Sequence, residues 1–348
     1  MTNSDDVRGG AVLSPRIIFI WRLVQLIVWL IGFAIFFLLI FNPAVGLLIL
    51  WNILIPVAPA LLVVATGLWR NICPMATTVL LPRRLNMSKK RKMTPLLQSK
   101  LQLAAIVSLY LIVPLRHAIF NTNGLATAGL LFGAAVTGVL MGFRYDWKSG
   151  WCSSLCPIHP VEKLYGASAA TTLPNAHCDR CVKCSVPCPD TTPDFHPAIT
   201  KKNKYQIWSG LLTIGGLPGF IWGWFQVPDH TGANSLDLFL KAYQYPFFGF
   251  LASLLCYVLL RKLLEQNRDR LLISCFAAAG VSCYYWFRIP ALLGFNHIEQ
   301  DGLLLDMHGI LPAWSISLLT ILSTCFFFWW LVFRKPVQRS WVKRPVYA

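Results

Sequence analysis

Residues 17–69 read IIFIWRLVQLIVWLIGFAIFFLLIFNPAVGLLILWNILIPVAPALLVVATGLW, two long apolar runs separated by Asn42 and Pro43. A helix needs about 20 mostly apolar residues to cross a bilayer. The runs 17–41 and 44–69 each meet that length, and the two-residue joint predicts a tight helical hairpin. Pro56 and Pro59 are expected to kink the second run, which a membrane helix tolerates where neighbouring helices satisfy the freed backbone groups. The same reading extends to 101–120, 125–143, 206–227, 245–262, 271–289 and 310–333. The weakest of these is 101–120, because Pro114, Arg116 and His117 crowd its end. Composition agrees. The 348 residues are 56% hydrophobic and 13% charged, against about 25% charged in a soluble globule. The expected fold is an all-α membrane protein of about eight transmembrane helices, two four-helix halves around a long polar loop.

Charge then divides the chain. The net charge is +17, which in a soluble protein would suggest nucleic acid. With eight spans, 28 of the 31 Lys and Arg fall on the side that holds both termini, and only Arg116, Lys241 and Arg288 lie opposite. The positive-inside rule makes that side cytoplasmic, so nucleic-acid binding is not needed to explain the charge. The expected organisation is a cytoplasmic N-terminus (1–16), four spans with a basic loop 70–100 (17–143), and a cytoplasmic loop (144–205). Four further spans (206–333) and a cytoplasmic basic tail (334–348) complete it. The first run is too long for a cleaved signal peptide, so a retained helix in a bacterial inner membrane is expected. Lys89, Lys90, Arg91 and Lys92 form a solvated run able to touch anionic lipid heads.

Loop 144–205 carries Cys178, Cys181, Cys184 and Cys188, then Pro189, spaced C-x2-C-x2-C-x3-C-P. In bacterial ferredoxins this spacing closes three thiolates on one iron–sulfur cluster, and the fourth cysteine ligates another. Zinc sites also use Cys-x2-Cys pairs, but usually pairs well separated along the chain. Three ligands within seven residues favour a 4Fe–4S cluster over structural zinc or a disulfide. A cytoplasmic setting keeps the thiols reduced. Two more features join Cys to Pro: Trp151-Cys152-Ser153-Ser154-Leu155-Cys156-Pro157, and Trp69-Arg70-Asn71-Ile72-Cys73-Pro74. Both follow the end of a span, where their thiols can approach one another. Cys256, Cys275, Cys283 and Cys325 lie inside spans and read as small apolar packing residues.

On these motifs the chain resembles the polytopic membrane ferredoxins (NapH-like) that accompany nitrate reductase, nitrous oxide reductase and cytochrome oxidase assembly. The likeness covers roughly residues 69–190 and is strongest over 151–189. It implies cluster ligation by Cys152, Cys156, Cys178, Cys181, Cys184 and Cys188, with Cys73 a seventh candidate. It also implies an electron-transfer component rather than a self-contained enzyme, with quinol or a soluble ferredoxin as donor and a redox partner protein as acceptor. Two departures stand out: the 69–74 element has one cysteine, with Arg70 near where another is expected, and there is one full cysteine run where many relatives have two. Two all-cysteine clusters need eight thiolates, and seven are present. One cluster is therefore expected, with a second possible if it borrows another ligand. A working division sets Cys178, Cys181 and Cys184 with Cys156, and Cys188 with Cys152 and Cys73. His159 and His177 are the nearest non-thiol ligands, though a hydrogen-bonding role fits each better. Arg180 and Lys183 lie between the ligands, where positive charge raises a cluster's potential unless both are simply solvated.

On the opposite side, His117, His230, His297 and His308 share the span ends and loops with Asp229, Asp237, Glu299, Asp301 and Asp306. These histidines are candidates for haem, copper or quinol, and Arg116-His117 is the leading pair. The sequence shows no phosphate-binding glycine loop, no nucleophile–base pattern and no haem attachment motif. Two other readings stay open beside the electron carrier. One is an iron–sulfur redox sensor or maturation factor for a respiratory metalloenzyme. The other is a transporter or scaffold with a structural zinc loop.

Overall fold

In the computed structural model the chain is described at residues 13–168, 170–178, 180–185, 188, 203–227, 236–264, 269–295, 302–335, 341–343 and 346. It is 77% helical. Ser14 caps α1 (Pro15–Phe41), accepting the Ile17 amide on its hydroxyl with Pro15 at the first helical position; a helix begins there because that proline has no amide to leave unpaired. After Asn42, α2 (Pro43–Val64) runs back antiparallel. The remaining long helices are α3 (Pro95–Ile112), α4 (Gly124–Arg144), α5 (204–224), α6 (Leu236–Leu263), α7 (Asp269–Leu292) and α8 (Ala313–Phe333).

Seven described helices are long and apolar enough to cross a membrane, α5 being the one expected span outside that set. Glycine and tryptophan lower its apolarity. It contains Gly210, Gly215, Gly216, Gly219 and Gly223, and a Cβ on Gly219 would strike the Gly249 carbonyl of α6. Small residues here let two backbones meet. A π turn at Leu212–Gly216 frees the Leu212 carbonyl to accept from the Tyr110 hydroxyl at 2.7 Å. Even so, α5 runs the length of α3: Asn203 donates to Ser99 at its start, and Trp224 donates to the Val113 carbonyl at its end.

Three spans depart most from the sequence expectation, and one of them, α6, begins at Leu236 rather than 245. The second span ends at Val64 rather than 69, because Ala65 leaves helical geometry at φ −136°. The third occupies 95–112 rather than 101–120. It starts where Thr94 caps Pro95 and stops before Pro114, and Arg116–Phe120 continues as a π turn. Within α2, beside Pro56 and Pro59, a neighbouring helix satisfies two backbone groups. The Tyr285 hydroxyl sits between the Ala60 amide, from which it accepts at 3.0 Å, and the Pro56 carbonyl, to which it donates at 2.6 Å.

The outward faces are apolar. Only 17% of the most apolar window of α1 is buried, and Phe19, Leu23, Leu26, Leu30, Phe33 and Phe41 project from the protein. Such a belt would be unstable in water and is the expected lipid-facing surface. The chain is therefore an all-α, multi-pass membrane protein.

The bundle has two distinct ends. At one, Arg288 donates to the Trp51 carbonyl and to Asn52, Asn52 donates to Leu303, and Trp51 donates to Phe120. Arg116 lies over the rings of Trp51 and Trp224. The other end gathers the described parts of loops 70–100 and 144–205 with residues 341–343 and 346. There Gln25 of α1 donates to the carbonyls of Asn71 and Ala176, and a short parallel pair joins Leu173–Pro174 to Val342–Lys343.

Candidate metal centre at the loop end

Each Cys-Pro step makes a joint between two helices. A residue before proline is pushed out of the helical region, and Cys73 and Cys156 hold ψ of 116° and 117°. A new helix then starts at Pro74–Val79 and at Ile158–Tyr165. The thiols consequently sit at helix starts, with the amides of Ala76 and Met75 aimed at Cys73 and that of Ile158 at Cys156. Such amides favour a thiolate. Cys152 lies in the π turn Trp151–Leu155 and is buried. Cys73, Cys152 and Cys156 share one apolar cluster with Ala76, Val79, Trp151, Met75 and Leu155.

A buried ion pair backs this group. Arg70 donates to Glu162 Oε2 at 2.7 Å, the Trp69 indole donates to Oε1 at 2.7 Å, and His159 Nδ1 lies 3.3 Å from Oε2. Burial alone would raise the Glu162 carboxyl, but Arg70, with His159 and Trp69, holds it below the usual carboxylate range. Burial brings the His159 imidazole down to about 4 against the opposing pull of Glu162, so it is neutral near pH 7. Burial raises the Cys73 and Cys156 thiols; Glu162 adds to both, and Cys152 and Cys73 add further at Cys156. A cation that replaced those protons would release them as it bound.

The 178–188 run is held differently. Asn175 Oδ1 accepts the amides of His177 and Cys178 at 3.0 and 3.1 Å, and the Cys181 amide donates to the Val346 carbonyl at 2.9 Å. Gln98 Nε2 donates both to the Ser153 carbonyl and to Ser185 Oγ, at 3.1 and 3.2 Å. One side chain of α3 thus ties the residue after Cys152 to the residue after Cys184. Gln102 reinforces it with a 2.8 Å bond to the same Ser153 carbonyl. Asn71 connects the loops again, donating to the Pro174 carbonyl and accepting the Ala176 amide. Cys178, Cys181, Cys184 and Cys188 are half-buried, and Arg180 and Lys183 are exposed.

Cys156 packs in one apolar cluster with Cys73 and Cys152, while the working division pairs it with Cys178, Cys181 and Cys184. Among the described residues, no disulfide joins any of the eleven cysteines. Among the described residues, no three His, Cys, Asp or Glu side chains close on one point as metal ligands would. The donor set nonetheless suits a thiolate-bound metal group, and the Trp151 indole N–H is buried with no partner among the described residues. That donor lies in the same cluster as the three cysteines, where a bound sulfur or similar acceptor would satisfy it.

His159 is committed to Glu162, and His177 is buried with its amide on Asn175. At the opposite end, His117 is buried against Trp224 and His308 stacks on Phe295. His230, His297, Asp229, Glu299 and Asp301 lie outside the described residues, as do the Asp237 side chain and Pro189. Cys256 and Cys325 face outward from α6 and α8, and Cys275 and Cys283 are partly covered in α7. Sequence reasoning passed over Glu162, Asn71, Gln98 and Trp341. Glu162 carried one signal, being an acid in a chain with only 14 acids against 31 Lys and Arg.

The fold and this end of it define a multi-pass, all-α membrane protein whose non-span cysteines collect on one side. Comparisons with protein-family models, with curated proteins and with solved structures find no match.

Proposed function

We propose that this chain is a membrane-bound 4Fe–4S electron-transfer protein of the NapH-like polytopic kind, passing single electrons between a membrane or cytoplasmic donor and a redox partner. The observation that carries the reading is the meeting of Cys73, Cys152 and Cys156 beside a cysteine run spaced C-x2-C-x2-C-x3-C-P. Cys178, Cys181, Cys184 and Cys188, with Cys156, Cys152 and Cys73, would hold the iron. When bound, such a group supplies reversible one-electron chemistry. The chain's own part is to position and to insulate. The Cys-Pro joints fix two thiols at helix starts, the Arg70–Glu162 pair holds fixed charge nearby, and the Trp151 N–H offers a donor to sulfur, a lever that raises a potential.

Orientation belongs to the same proposal. The excess of Lys and Arg at the loop end makes that end cytoplasmic and suits a bacterial inner membrane. The missing eighth thiolate favours a second reading, an iron–sulfur sensor or maturation factor with one labile group. Anaerobic purification with iron, acid-labile sulfide and zinc counts tests the proposal. About four irons with equal sulfide mean one cluster, and about eight mean two. Zinc without sulfide would replace the ferredoxin reading with the structural-zinc scaffold. A periplasm-only reporter fused at Arg339, which lies outside the described residues, is expected to be silent.

A further inference from the structure

The segment after α8 reads from sequence as a basic tail, yet part of it is built into the cysteine site. Trp341 is fully buried. Its indole donates to the Gly166 carbonyl at 2.6 Å, and the Lys163 ammonium lies 4.4 Å from its ring centre. The Trp341 carbonyl accepts the Leu173 amide at 2.9 Å, beginning the parallel pair with Val342 and Lys343. A Cβ on Gly67 would strike that same carbonyl, so the segment also lies hard against the helix Thr66–Ile72 that leads to Cys73. At its far point the Val346 carbonyl accepts the amide of Cys181, in the middle of the cysteine run.

An aromatic anchor buried this completely, with a desolvated cation on its face, is not a solvated tail. We infer that the segment bearing Trp341, Val342, Lys343 and Val346 is a strap that completes the cysteine site, fixing the Cys181 backbone and limiting water and oxygen access to the group held there. The inference rests on the iron–sulfur reading and adds a positioning element to it. A Cys181 amide engaged by Val346 is withheld from sulfur. Releasing the strap frees that donor and admits water, and both changes raise a cluster's potential.

The test uses the full chain, purified anaerobically, beside Trp341→Ala, Trp341→Phe and a chain ending at residue 340. Iron and sulfide at isolation are expected to match in all four. On exposure to air, cluster absorbance in Trp341→Ala and the shortened chain should fade roughly tenfold faster or more, because loss of the anchor raises the population of the locally open loop. Their midpoint potentials should also rise, while Trp341→Phe stays near wild type. Fading rates and potentials equal to wild type in both weakened chains would overturn the strap. If Trp341→Ala does not accumulate in membranes, the shortened chain decides by the same two readouts. If wild type contains no iron or sulfide, the iron–sulfur reading fails, and maleimide labelling judges the strap alone. Faster labelling of Cys181 than in wild type, with Cys325 unchanged, supports it, and equal labelling overturns it.

Discussion

Cys73 and Cys156 each occupy a joint between helices, with proline behind them, helix amides at the thiol and a buried ion pair alongside. Cys178 to Cys188 ride on a loop held at Asn175, at Gln98 and at Val346. The first group is fixed by chain geometry that a neighbour cannot easily alter. The second is held by the nearby Asn175 and by Gln98 and Val346 from distant parts of the sequence. The difference separates the residues that shape a thiol's surroundings from those that keep a loop in place.

The largest expected way to break this contrast is Glu162→Ala, which takes the carboxylate from the buried Arg70 guanidinium and from the Trp69 indole. A cost of about 3–5 kcal/mol follows from removing one partner of a buried pair, and thermal unfolding in detergent would measure it. Glu162→Gln, which keeps a hydrogen-bond acceptor for Trp69, should lose less. Next comes Asn71→Ala, which removes both bonds to 174–176 and loosens the run while leaving Arg70–Glu162 intact. A loss of roughly 2–3 kcal/mol is expected from the groups left unsatisfied, with faster thiol labelling at Cys178 than at Cys73. Gln98→Ala should cost about 1 kcal/mol, and labelling should then rise mainly at Cys184. Equal rises at Cys73 and Cys184 would contradict the separation of the two groups. Cys325→Ser sharpens the contrast from outside, since that thiol faces outward and its stability change should stay within about 0.5 kcal/mol.

Much of the fold was legible in the apolar runs, because a membrane span must satisfy its own backbone and therefore declares itself by length and composition. The third span was misplaced by six residues at its start. Its first turns carry Gln98, Ser99, Lys100 and Gln102, polar residues that serve the loop end rather than lipid, while Thr94-Pro95 had already signalled the start. The 204–224 helix reads ambiguously because close packing against Gly249 demands glycines, which weaken the apolar signal. At the site, the cysteines and their spacing were plain. Glu162 was hidden because an ion pair formed across 92 residues leaves no local pattern. Trp341 was hidden for the same reason, its hydrogen-bond partner lying 175 residues away.

The central claim is that the 178–188 run ligates the iron of an iron–sulfur cluster, and electron paramagnetic resonance of the reduced, anaerobically purified protein tests it most directly. In parallel samples of wild type, Cys181→Ser and Cys325→Ser, the account predicts a cluster signal in wild type, its loss in Cys181→Ser with about four fewer irons, and an intact signal in Cys325→Ser. A Cys181→Ser spectrum and iron count unchanged from wild type would contradict it.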